Sequence, residues 1–201
     1  MKQYPSITKN IVKGEPFYCF DKIDGSNIRA EWSRKNGFYK FGTRHRLLDK
    51  NEPILGKAVY IIQSKYELLN LLFLKKRQTE AVCFFEFYGS KSFAGNHVEN
   101  DNFDVVLFDV SLYKKGMMQP KEFIEWFQDF DIAKLLYHGN ITDEFYNSVK
   151  NSKLQNMTFE GVVCKSTKKN QPLMFKIKSN IWLQKLKDFC KDDILLFNKL
   201  E

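Results

Sequence analysis

Lys22 stands where an aromatic, strand-like run (Phe17-Tyr18-Cys19-Phe20) meets an Asp-Gly turn, in Phe20-Asp21-Lys22-Ile23-Asp24-Gly25-Ser26-Asn27-Ile28-Arg29. A lysine held on a rigid, partly buried turn loses hydration, which depresses its pKa and makes it an amine nucleophile. Taken alone, Lys22-Ile23-Asp24-Gly25 is more often an ordinary surface turn. Other charged residues sit inside apolar runs: Glu86 in Phe84-Phe85-Glu86-Phe87-Tyr88-Gly89, and Glu160 at the start of Phe159-Glu160-Gly161-Val162-Val163-Cys164-Lys165. Lys176 and Lys178 in Phe175-Lys176-Ile177-Lys178 are two apart and therefore share a strand face. Burying any of these groups without a partner costs several kcal/mol. One outcome is an internal salt-bridge network of the two glutamates with the two lysines. The other is a strand-lined pocket holding one nucleophile, two carboxylates and two cations. That inventory suits transfer of a phosphate-bearing group, with carboxylates for a divalent cation or a ribose hydroxyl and lysines for phosphate charge.

The elements that must position these residues follow from hydrophobic periodicity and turn signals. Residues 1–16, polar and with Pro5 and Pro16, are expected to lie across the surface before the first strand. Asn27–Ser33 and Phe38–Thr43 flank Asn36-Gly37, a type I′ hairpin signal. Leu55–Lys76 carries apolar residues at helical spacing and reads as one helix or two, while Ala81–Tyr88 and Val105–Leu112 have the apolar character of central strands. Pro120–Phe130 starts with proline and reads as a helix, and Thr142 is placed to cap another. Phe159–Ser166 and Leu173–Lys178 form a hairpin around residues 168–171, and Asn180 to about Phe197 is a closing amphipathic helix. The expected class is α+β, with curved antiparallel sheets and helices packed outside.

Composition narrows the partners. The 201-residue chain is 43% hydrophobic and 15% aromatic, enough to bury a substantial core. Its formal net charge of +8 suits a polyanionic partner, although charge alone serves solubility equally well. The four cysteines (Cys19, Cys83, Cys164, Cys190) are scattered, with three in apolar strand-like runs, as expected for small core residues in a reducing compartment. No apolar run reaches the roughly 18 residues of a membrane span, and the start lacks a signal-peptide apolar region. The expectation is a cytoplasmic protein without a membrane partner.

In order along the chain, Lys22-x-Asp24-Gly25-x-x-x-Arg29, Phe85-Glu86-Phe87-Tyr88-Gly89, Phe108-Asp109-Val110, Glu160-Gly161-Val162-Val163-x-Lys165 and Lys176-x-Lys178 resemble the motifs of the covalent nucleotidyltransferase superfamily of polynucleotide ligases and mRNA capping enzymes. Each motif is weak alone; the ordered set, spanning residues 17–178, is specific. Asn27 after Gly25-Ser26, and the stretch 88–97 leading into Val106-Leu107-Phe108-Asp109-Val110, are similar to the nick-joining, phage-type ATP-dependent RNA ligases. A phage or virus source would fit that likeness. The resemblance implies an adenylyltransferase domain (an ATP-grasp-like ligase core) with a nucleotide cleft between curved sheets. It also implies ATP and Mg²⁺ or Mn²⁺ as cofactors, and RNA (or DNA) with 5′-phosphate and 3′-hydroxyl ends as partner.

The same resemblance assigns roles. Lys22 would form the lysyl-AMP bond. Ile23, Asn27 and Arg29 would contact the nucleotide, Arg29 through ribose or phosphate. Arg44 would grip the end being joined, and Glu86 would hold ribose hydroxyls. Phe108, or Val105 on its strand, would press on the adenine. Glu160 and Asp24 would bind metal. Lys176 and Lys178 would reach phosphates, and their charge would favour the neutral form of Lys22. His45, Arg46 and Lys91 would contact nucleic acid. About 23 residues follow Lys178, so the expectation is one domain over 1–201, with neither an oligonucleotide-binding nor a helical C-terminal domain. A partner protein could then supply substrate grip. The alternatives are a minimal DNA ligase or a non-catalytic nucleotide- or RNA-binding module of the same fold.

Overall fold

The computed structural model describes residues 3–90, 102–167, 172–191 and 193–201. In chain order the elements are β1 (Pro16–Lys22), β2 (Ser26–Ser33), β3 (Gly37–Gly42), α1 (Gly56–Lys65), α2 (Leu68–Lys75), β4 (Glu80–Tyr88), β5 (Asp104–Leu112), β6 (Gly116–Met117), α3 (Pro120–Phe127), β7 (Leu135–Asn140), α4 (Asp143–Lys150), β8 (Gly161–Ser166), β9 (Met174–Lys178), α5 (Asn180–Cys190) and α6 (Ile194–Leu200). They form two antiparallel sheets, one in the order β7-β1-β8-β9 and the other β3-β2-β4-β5-β6.

Alternation along the strands assigns the faces. In the five-stranded sheet, Ile28, Ala30, Trp32, Cys83, Phe85, Phe87, Val105, Leu107 and Val110 pack with α1, α2 and α3 in the main core. In the four-stranded sheet, Phe17, Cys19, Val162, Cys164, Phe175 and Ile177 form a second core with Phe145 and Val149 of α4. The opposite faces carry the polar and charged residues, and those faces meet. A bulge in β5 breaks strict alternation: Phe84 pairs with Asp109 and Phe85 with Leu107, so Phe108 is the extra residue. Leu107 and Val110 can therefore both stay in the core while Phe108 and Asp109 are turned elsewhere.

Several local expectations need correction. Ser33 pairs with Gly37, which leaves a three-residue loop rather than a two-residue type I′ turn. Asn36 N–H donates to the Ser33 carbonyl, and Gly37 alone takes φ +63°, the alternative three-residue hairpin geometry. The Leu55–Lys76 segment is two helices, and so is the closing segment. Lys191 at φ +50° ends α5, and Asp193 Oδ1 accepts the Leu196 N–H to start α6. Thr142 caps α4 as its type suggests. Strand β7 carried no clear sequence signal. It is an edge strand with mostly half-exposed residues and Gly139 in its middle. Residues 168–171 of the β8–β9 loop lie outside the described residues.

The N-terminal segment runs over the surface as expected, exposed or half-exposed at most described positions, but it is anchored there at two points. Tyr4 is buried, and Thr8 makes a parallel bridge to Phe175 of β9. The reason is chemical: Tyr4 has an aromatic body to bury and a hydroxyl that finds Asp109 at 2.9 Å. Among the described residues, no helix is long and apolar enough to cross a membrane.

Candidate active site

Lys22 ends β1 and is paired across the sheet with Gly161, which is paired in turn with Lys178 of β9. The row therefore reads lysine, glycine, lysine, with no side chain between the two cations. Gly161 has φ +142°, and a Cβ there would collide with the Ile177 carbonyl, so only glycine fits. Glu160, one residue earlier, fills the gap: Oε2 accepts from Lys22 Nζ at 2.6 Å and Oε1 from Lys178 Nζ at 2.9 Å. Its backbone is held by Ser179, whose N–H donates to the Glu160 carbonyl while its hydroxyl donates to the Phe159 carbonyl. Asp21 Oδ1 accepts from both the amide and hydroxyl of Thr158. Gly25, in the turn after Lys22, lies against the Phe87 carbonyl where a Cβ would not fit. That close approach brings β2 and β4 beside the lysine.

These groups line a cleft of about 570 Å³ between the two sheets, within the range of small-molecule sites. Asn27, Glu86 and Val106 form a row across β2, β4 and β5, and all three line it. Burial pushes the Glu86 carboxyl up to about 8; Lys22 works against the shift and Glu160 and Asp24 reinforce it. Burial likewise lifts Asp24 to about 7, reinforced by Glu160 and partly offset by Trp182, Lys22 and Lys178. Lys178 falls to about 8 because burial outweighs its contact with Glu160. Its ammonium also lies 3.5 Å from the centre of the Trp182 ring.

Lys22 shifts against expectation. Burial lowers its pKa, but Glu160, Glu86 and Asp24 together outweigh burial and raise it. The neighbouring lysines therefore do not leave the amine neutral; the carboxylates hold it as an ammonium. Glu160 itself, although buried, is held below its usual value by Lys22 and Lys178.

A second charged cluster at the cleft wall was not assigned a role from sequence. Lys165 Nζ reaches across from β8 to donate to Asp109 Oδ2 at 2.8 Å and to the Phe108 carbonyl at 2.9 Å. Tyr4 donates to the same carboxylate oxygen, and the Phe20 ring lies 5.0 Å from the ammonium. The sequence signal was present, because a lysine and an aspartate interrupt two apolar strands. Their pairing depends on sheet packing.

The other expected site residues separate into groups. Ile23, Asn27, Arg44, Glu86, Phe108, Lys176 and Lys178 line the cleft with Lys22, Asp24 and Glu160. Arg29 does not: it is buried beside the cleft, with its guanidinium donating to the Arg44 carbonyl at 3.4 Å, so it supports the Arg44 loop. Val105 faces the core, since alternation gives the cleft to Val106. His45 and Arg46 are exposed and do not line the cleft, and Arg46 is paired through both guanidinium nitrogens with Glu52. Lys91 lies outside the described residues. The sequence reading also passed over Tyr4, Ser6, Lys9 and Trp182, all of which line the cleft. Ser6 and Lys9 carry no signal, being two polar residues in a polar segment.

Among the described residues no three His, Cys, Asp or Glu side chains form a ready-made metal cage. Asp24 Oδ2 is buried in the cleft without a hydrogen-bond partner, close enough to Glu160 to raise its own pKa. One or two carboxylates of this kind suit Mg²⁺ or Mn²⁺, which complete their shells with water and substrate phosphates.

Three chains of Naegleria gruberi RNA ligase share this architecture. An arginine-to-alanine variant with ATP and Mn superposes with a TM-score of 0.70 at 18% identity, covering 94% of this chain and 59% of that one. The protein with PPi gives 0.66 at 20% identity, covering 88% and 53%. A lysine-to-alanine variant with ATP and Mn gives 0.66 at 21% identity, also covering 88% and 53%. The chain thus spans little more than half the length of these solved structures, and the likeness shows the adenylyltransferase fold. No curated protein sequence matches the chain. The family model described as RNA ligase matches residues 15–178, a stretch that holds Lys22, Glu86, Glu160, Lys176 and Lys178, and the chain belongs to that RNA ligase family.

Proposed function

We propose that this chain is the adenylyltransferase part of an ATP-dependent RNA ligase, with Lys22 as the nucleophile. The observation that carries this reading is the contact of Glu160 with both Lys22 and Lys178 at the floor of the cleft. In the first step a bond forms from Lys22 Nζ to the α-phosphorus of ATP. The bond from that phosphorus to the pyrophosphate oxygen breaks, and pyrophosphate leaves with the electron pair. Lys22 sheds two protons on the way to the phosphoramidate N–H. The first passes along the 2.6 Å hydrogen bond to Glu160 Oε2 before attack, which frees the lone pair, and the second leaves to solvent as the P–N bond forms. Lys176 and Lys178 neutralise charge that grows on the phosphoryl oxygens. Glu86 and Asn27 face the ribose, and Phe108 meets the adenine. The AMP then passes to an RNA 5′-phosphate, and a 3′-hydroxyl displaces it to join the strands.

Asp24 and Glu160 are the residues that would hold a divalent cation, Mg²⁺ or Mn²⁺, which supplies charge neutralisation for both carboxylate and phosphate when bound. A drop in the negative charge felt by Lys22 lowers its pKa, so the same carboxylates that hold the ammonium can release it.

Incubation with α-labelled ATP and a divalent cation tests the reading. The expected result is acid-labile, alkali-stable label on the protein, reduced to background in Lys22→Ala and in Lys22→Arg, whose guanidinium stays protonated. Both variants should melt within a few degrees of the parent. No label from ATP would remove the enzyme reading, and label from GTP alone would move it to capping chemistry. Parallel assays with nicked RNA and DNA decide the substrate. One observation favours a binding-only module: Lys22 is held protonated. Label formation decides against it.

A further inference from the structure

Residues 194–201 bring a carboxylate to the same cleft. Glu201 Oε2 accepts from Lys9 Nζ at 2.6 Å, and its backbone oxygen accepts from Lys176 Nζ at 2.5 Å. Lys9 is no random neighbour. The Lys176 N–H donates to the Thr8 carbonyl and Thr8 bridges Phe175, so the N-terminal segment is laid along β9 with Lys9 beside Lys176. Burial lowers the Lys176 pKa, with Lys22 and Lys9 adding to the shift and Glu160 and Glu201 opposing it. The element that delivers Glu201 is lightly held. Leu196 and Phe197 pack on the Trp182 cluster, while Ile194 and Leu195 stay 72% and 83% exposed.

We propose that Lys9 and Lys176 form a phosphoryl-anion subsite of the cleft, and that Glu201 competes for it as an internal anion. This rests on the nucleotide reading of the cleft and adds to it a binding residue, Lys9, outside the family motifs. A phosphate group entering this end displaces Glu201 and α6 from the two lysines. Glu201 therefore weakens phosphate binding, whereas Lys9 strengthens it.

Calorimetric titration of the full chain with pyrophosphate tests both signs. Glu201→Gln should tighten pyrophosphate binding by about 3- to 10-fold, and Lys9→Ala should weaken it by a similar factor, the range of one partly screened charge contact. In the Lys9→Ala background, Glu201→Gln should gain less than it does alone. Lys9 is half exposed, so its variant should keep the parent melting temperature. Unchanged or weaker binding in Glu201→Gln overturns the proposal, as does unchanged binding in Lys9→Ala. A 5′-phosphorylated oligonucleotide in place of pyrophosphate shows whether the subsite takes nucleotide phosphates or the RNA end, according to which affinity responds to the two substitutions. The labelling assay reports separately. Label with unresponsive pyrophosphate affinity sinks the subsite and leaves the enzyme, and responsive affinity without label does the reverse.

Discussion

Two buried lysine–carboxylate groups stand in one cleft and are built in opposite ways. The first, Lys165 with Asp109, is complete: the ammonium has a carboxylate, a carbonyl and an aromatic face, and the carboxylate also receives the Tyr4 hydroxyl. It joins the two sheets. The second, Lys22 with Glu160 and Lys178, is surrounded by unfinished chemistry. Asp24 Oδ2 and Asn27 Oδ1 are buried without hydrogen-bond partners, and Glu86, Asp24 and Lys178 are pushed to about 8, 7 and 8. A satisfied buried pair stabilises a fold only modestly but is costly to break; an under-satisfied one keeps its groups ready for a ligand. The difference separates the brace from the proposed reacting centre more clearly than residue type does, since both are a lysine facing an acid.

Substitutions can break or sharpen this contrast. Asp109→Ala leaves Lys165 buried and unpaired and should cost about 3–5 kcal/mol, a drop in melting temperature of roughly 6–20 °C for a chain of this size. An unchanged thermal melt would show that the cluster is not a brace. Glu160→Gln should fold, yet it should slow label transfer from ATP by about 100-fold, the scale of a lost acid–base group. Removing the carboxylate also lowers the Lys22 pKa, so the inflection in the pH–rate profile should move to lower pH; a fixed inflection would mean that another group sets the protonation of Lys22.

Glu86→Gln tests the strain in the centre. A carboxylate whose folded pKa lies near 8, well above its unfolded value near 4.5, binds more protons when folded. Its contribution is therefore lost as pH rises through that window. The variant should melt about 2–8 °C above the parent at pH 8.5, if about 1–2 kcal/mol of burial cost is relieved, and the gap should close near pH 5. A constant gap would show that Glu86 is not a buried, titrating acid. Arg46→Ala should have the smallest effect. With its guanidinium already engaged by Glu52, RNA affinity should change less than twofold in a filter-binding titration, and the salt slope should stay the same. A slope reduced by about one phosphate contact would return Arg46 to the RNA interface.

Local patterns were legible where one residue type has few other uses. Asp24-Gly25 read as a turn between two strands, and Lys176 and Lys178, two apart on a strand, had to share a face. Charged residues inside apolar strands pointed to a site because burial without a partner is too costly. The reading failed where the deciding partner is distant in the chain. Arg29 has the spacing of a ligand contact, but it is buried beside the cleft, with one guanidinium nitrogen 3.4 Å from the Arg44 carbonyl and its Nε without a hydrogen-bond partner. Val105 and Val106 are indistinguishable by type, and only the register of β5 against β4, together with the bulge at Phe108, decides which one faces the cleft. Tyr4, Lys9 and Glu201 stand near the two ends of the sequence and carried no periodic signal.

The sequence by itself determined most of the strands and helices, though not β7 or the break between α5 and α6, which residues are too costly to bury alone, and that an amine, several acids and paired lysines recur in a set order. The tertiary structure decided what those charges do to one another. The sign of the Lys22 shift is the sum of burial and three carboxylates brought together from β4, the β1–β2 turn and the edge of β8. Such a sum depends on distances and desolvation, which exist only once the two sheets have closed on each other.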